Sequence, residues 1–92
     1  MSAFMITYDL HTPGQKYDCI QKAIKNACPV HWNMLGSVWM VKYTGTATQL
    51  RDIVGKCLDS NDELIVVKLN GEAAWKGPRL TKNVQWIKDT LN

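Results

Sequence analysis

The sequence contains no apolar run approaching the ~18 residues of a membrane span, so no transmembrane helix is expected. Its first residues lack the basic region and small-residue cleavage site of a secretory signal, and the expectation is a cytoplasmic chain. There is no CxxC pair, and the two histidines, His11 and His31, stand far apart, which argues against a zinc site. The three cysteines, Cys19, Cys28 and Cys57, are odd in number and show no paired spacing, so they read as reduced thiols. No base is paired with Cys19 or Cys28 in sequence, which leaves thiol nucleophilic catalysis unsupported. Repeats, low-complexity tracts and linker composition are also missing. "YTGTAT", residues 43–48, reaches a helix N-terminus that could take an anion, but it lacks the lysine of a phosphate loop.

What remains is an ordinary globular composition. Ninety-two residues, 46% hydrophobic and 21% charged, fit one domain spanning 1–92 with one core. A net charge of +3 is well short of a nucleic-acid-binding tail. The densest basic excess is Lys76, Arg79 and Lys82 beside Trp75. That group is either a solvated loop with Trp75 closing the core edge, or a patch that stacks a base and holds phosphate. Lys16 is a further candidate phosphate contact.

Phe4, Ile6 and Tyr8 alternate with Met5, Thr7 and Asp9, which predicts a strand over 3–9. After the Thr12-Pro13-Gly14 turn, Tyr17, Ile20, Ala23, Ile24 and Ala27 make one helical face, and Pro29 ends it. The aromatic stretch 30–45 is interrupted by Gly36-Ser37 and reads as strands over 31–35 and 37–43, joined by a tight turn or bulge. Thr46 and Gln49 form a capping box ahead of a second helix with Leu50, Ile53, Val54, Cys57 and Leu58 on its apolar stripe. "LIVVKL", 64–69, is a β-branched strand closed by Asn70-Gly71. A short helix from Thr81 to Leu91 completes a C-terminal loop-helix extension, 70–92, on a core of 3–69. The order βαββαβ predicts an α+β, ferredoxin-like domain: a four-stranded antiparallel sheet with two helices on one face.

In such a sheet Phe4, Ile6 and Tyr8 face the helices, as do Trp39 and Val41. The strand over 64–69 is read with Ile65, Val67 and Leu69 toward the helices. The open face then holds Met5, Val38, Met40, Leu64 and Val66. That is too apolar for water, and it predicts either a homodimer through this face or cover by the C-terminal segment. Asp9 ends strand one beside Ser37 and Asp62-Glu63. A two-fold axis nearby would bring in a second Asp9, and facing carboxylates repel unless a cation lies between them. Carboxylates and water suit Mg²⁺ or Mn²⁺, which could activate water against a phosphodiester. The other reading of Asp9 is a strand-end cap, through Asx hydrogen bonds into "DLHTPG". His11 is either a general acid or base or an exposed turn residue. His31 reads as a local packing or hydrogen-bonding residue.

"ITYDL", residues 6–10, and "LGSVWMVKY", residues 35–43, resemble two blocks of the small dimeric CRISPR-associated protein that partners the spacer integrase, second in the Cas series. The virulence-associated protein D toxins share that architecture. The resemblance covers roughly residues 3–69. It implies a homodimer through sheet faces and a metal-dependent endonuclease with Asp9 at the two-fold axis, with Ser37 as the second-block serine. The chain departs from the family pattern in lacking an Arg in the first turn and in carrying Trp39 where Phe is commoner.

Three functions follow as expectations. One is a metal-dependent nuclease using Asp9, Ser37 and His11. Another is a non-catalytic nucleic-acid or nucleotide binder using Lys16, Trp75, Lys76, Arg79 and Lys82. The third is a protein-interaction module of toxin–antitoxin or phage counter-defence type.

Overall fold

Strand β1 (Ser2–Asp9) buries Phe4, Ile6 and Tyr8 and leaves Met5 and Thr7 part-covered on the other side. A computed structural model describes residues 1–11, 13–77 and 89. Helix α1 (Pro13–Ala27) opens on a proline, whose missing N–H would have no partner at that position. Its Ile20 and Ile24, one turn apart, are fully buried. β2 (Val30–Leu35) and β3 (Val38–Tyr43) make a hairpin around Gly36-Ser37, with an irregularity between Asn33 and Leu35. Tight turn and bulge are therefore both present. The Asn33 amide holds the turn by donating to the carbonyls of Gly36, at 3.1 Å, and Val38, at 3.0 Å.

Helix α2 (Ala47–Gly55) starts at the expected capping box: Thr46 Oγ1 accepts from Gln49 N at 3.1 Å, and Gln49 Oε1 accepts from Thr46 N at 2.9 Å. Gly45, at φ +152°, lets the chain pass tightly under this cap, where a Cβ would meet the Tyr43 ring at 2.6 Å. β4 (Glu63–Lys68) then joins the other edge of the sheet.

The sheet order is β2-β3-β1-β4, antiparallel throughout. Both helices pack on one face: Ile20, Ile24, Leu50 and Val54 share a core with Phe4, Ile6, Tyr8, Trp39 and Val41. The architecture is α+β and compatible with the ferredoxin-like pattern. No helix among the described residues is long and apolar enough to cross a membrane. The expected helix from Thr81 to Leu91 lies outside the described residues.

The phase of β4 corrects the sequence expectation. Its register opposes Tyr8 to Leu64 and Ile6 to Val66, which turns Leu64 and Val66 onto the helix side, against the core. Ile65 and Val67 face the other way and are 59% and 43% exposed. Leu64 and Val66 are therefore not part of the open face. Four consecutive apolar residues satisfy either phase, so alternation alone could not choose.

The open face carries two cross-strand rows. One runs Trp32–Met40–Met5–Val67 and the other Leu35–Val38–Thr7–Ile65. Leu69 and Trp75 fold over part of it and pack with Met5, Trp32, Met34, Val38 and Met40. The segment after β4 thus covers the methionines, while Leu35, Ile65 and Val67 stay exposed.

The β4 phase is tested by urea unfolding of two single variants. Leu64→Ala is expected to cost about 1–2 kcal/mol and Ile65→Ala less than about 0.5 kcal/mol. The reverse order would restore the alternative phase.

Candidate functional site

The ends of β1 and β4 meet where Asp9 stands directly opposite Glu63. Opposed residues of an antiparallel pair share a face, with Cβ atoms about 5 Å apart. Both residues are exposed. They rim a shallow cleft of about 230 Å³ lined also by Thr7, Tyr8, Leu64 and Ile65. Ser37 reaches the same end of the sheet, its carbonyl accepting from Tyr8 N at 3.3 Å. Asp9, Ser37 and Glu63 are thus gathered as the strand order predicts.

What holds this end together is Asp62, whose side chain is 0% exposed. One oxygen accepts from His11 N at 2.7 Å. The other accepts from Asp59 N at 2.9 Å and from the Lys16 ammonium. Lys16 Nζ also lies 2.7 Å from Asp59 Oδ2. The Lys16 charge and the two backbone N–H groups hold the Asp62 carboxyl down at about 2, well below the usual carboxylate range. The same two aspartates raise the Lys16 ammonium above its ordinary value. Within "DLHTPG" the His11 N–H donates to the Asp62 carboxylate, 51 residues on, so a long-range carboxylate ties this turn down.

Lys16 is the second correction. It is one of the candidate phosphate contacts, yet it is buried and committed to Asp59 and Asp62. A lysine on the buried side of α1 needs carboxylate partners, and residues 59–62 supply them. His11 meets Asp62 through its backbone. Trp75 is half-buried over the open face, beside an exposed Lys76. Arg79 and Lys82 lie outside the described residues.

The cysteines are the third correction. Cys19 on α1 and Cys57 just past α2 form a disulfide, and Cys28 is the free thiol. The spacing of 38 residues gave no sign of a pair, because the contact comes from helix packing. Closing a loop of that length contributes about 2–4 kcal/mol. Cys28 is buried, and burial pushes its thiol up to about 11, so it is inert as a nucleophile. His31 Nδ1 donates to the Cys28 carbonyl at 3.0 Å, a local role as expected. Tyr8 OH accepts from Trp39 Nε1 at 3.2 Å inside the core, and burial raises its phenol.

No protein-family model matches the chain, and no curated protein matches it.

Because its carboxyl is depressed in the folded state, Asp62 stabilises the fold fully above its unfolded value near 4. That contribution is lost as pH falls toward 2. Thermal unfolding of Asp62→Asn at pH 7 is expected to show a clearly lowered Tm and a flatter acid limb between pH 4 and 2. Asp52→Asn, at an exposed pair with Arg51, should leave both unchanged.

Proposed function

We propose that this chain is a homodimeric, metal-dependent phosphodiesterase acting on RNA or DNA, with Asp9 of two copies around a divalent cation. The observation that carries the reading is the exposed Asp9–Glu63 pair on a cleft at one end of an apolar sheet face. Carboxylate oxygens are the hard donors that Mg²⁺ or Mn²⁺ prefers, so the residues fit such an ion. Among the described residues no group of three or more His, Cys, Asp or Glu is arranged to hold a metal ion within one protomer. One protomer therefore offers the Asp9–Glu63 pair, and a second copy completes the donor set. When bound, the ion supplies Lewis acidity and a more acidic water.

The chain's own residues set the rest. Asp9 and Glu63 hold the ion. Ser37, whose carbonyl is bonded to Tyr8 N, and His11, whose backbone is fixed by Asp62, lie at the same end of the sheet outside the cleft lining. The exposed Leu35, Ile65 and Val67 supply the apolar surface for the two-fold contact. The same exposed residues also favour a second reading, a protein-interaction module with no chemistry. The purely electrostatic nucleic-acid binder loses Lys16 and rests on Lys76, Arg79 and Lys82.

The test is cleavage of labelled single-stranded RNA, duplex RNA and duplex DNA with Mg²⁺ or Mn²⁺, alongside sedimentation. Wild type should cleave one of these, and Asp9→Ala should lose at least a hundredfold while remaining dimeric. Glu63→Gln should lose about tenfold or more. Ile65→Lys should shift sedimentation toward monomer and lower cleavage with it. A dimeric wild type inert on every substrate would favour the interaction module.

A further inference from the structure

We propose that the Cys19–Cys57 disulfide is a redox-responsive pin that controls the order of the strand-end site. Two tethers tie α1 to the segment between α2 and β4. Lys16 reaches Asp59 and Asp62, and Cys19, one turn further along the helix, is bonded to Cys57. The segment they hold carries only limited packing of its own. Cys57 and Leu58 touch the core and are bonded through their N–H groups to the carbonyls of Val54 and Gly55, while Lys56, Asp59, Ser60 and Asn61 are exposed. Its end is Asp62, whose carboxylate fixes His11 N, two residues past Asp9, and which immediately precedes Glu63. The covalent pin and the Asp9–Glu63 rim are thus joined by one short stretch of chain.

Cys19 is the more exposed residue of the pair, so its side of the bond is the one assigned to attack by a dithiol reductant of thioredoxin class. A thiolate of that dithiol attacks the Cys19 sulfur, and Cys57 leaves as a thiolate. The second thiol of the reductant then attacks the mixed disulfide and releases Cys19. Two electrons pass from the dithiol to the cystine, the reductant leaves as its own disulfide, and the two cysteines take up protons. The buried Cys28 takes no part. Reduction leaves the Lys16 pairs as the only tether of the two, and residues 56–62 loosen along with the amide of His11. Loosening there slackens the alignment of Asp9 with Glu63 while the β1–β3 pairing holds. The effect on cleavage rests on the proposed function, but the device itself does not.

The experiment is hydrogen exchange followed by mass spectrometry on the full chain, before and after treatment with dithiothreitol, with Cys19→Ser/Cys57→Ser as a second protein. Thiol titration of the untreated protein under denaturing conditions should find one free thiol, and reduction should add two hydrogens to the mass. Peptides covering His11 and residues 56–63 should exchange at least tenfold faster once reduced. Peptides of β1 and β3 should keep their protection. The double variant should match the reduced state and ignore dithiothreitol. Three free thiols before treatment would overturn the proposal, as would unchanged exchange after reduction. Equal loss across β1 and β3 would also overturn it, by making the bond a general staple. No outcome depends on whether the protein cleaves nucleic acid.

Discussion

The carboxylate of Asp62 is the contact on which this end of the molecule depends. It draws together the turn after β1, the first turns of α1 and the segment leading into β4, through one buried ammonium and two backbone N–H groups. A carboxylate out of water is tolerated only when its lone pairs are met, and here three donors converge on it. The pairing also explains a buried lysine in a small domain. Its charge is balanced within hydrogen-bond reach, and its aliphatic stem can lie along the core.

The fold was legible because local signals agreed with one another. Alternation set β1 and β3, the spacing of Ile20 and Ile24 set α1, and Thr46 with Gln49 marked the start of α2 before any tertiary contact was known. Gly36-Ser37 divided the long aromatic stretch correctly. The Asn33 clamp was harder to see, since an asparagine inside a strand carries no pattern until its amide is seen against the turn carbonyls.

The site was legible only in part, and the reasons are physical. Asp9 and Ser37 could be brought together from strand order alone, because antiparallel neighbours place an end beside a beginning. Glu63 could be set near Asp9 but not assigned as its direct partner without the register. Lys16 and the Cys19–Cys57 bond depend on how α1 packs against residues 57–62, and linear spacing does not encode that packing. Lys16 in particular looks like any solvent-facing cation until Asp59 and Asp62 are beside it.

The double-sided character of β4 has a consequence for how the sheet finds its alignment. Leu64 and Val66 differ little in transfer free energy from Ile65 and Val67, so sliding the strand by one residue exchanges one greasy pair for another at small hydrophobic cost. Burial alone therefore leaves this edge of the sheet nearly degenerate. The degeneracy is broken just before the strand, where Asp62 must reach His11 and Lys16, and just past its far end, where Leu69 N donates to the Ala3 carbonyl at 2.9 Å. In this protein a polar cluster acts as the vernier for an apolar strand.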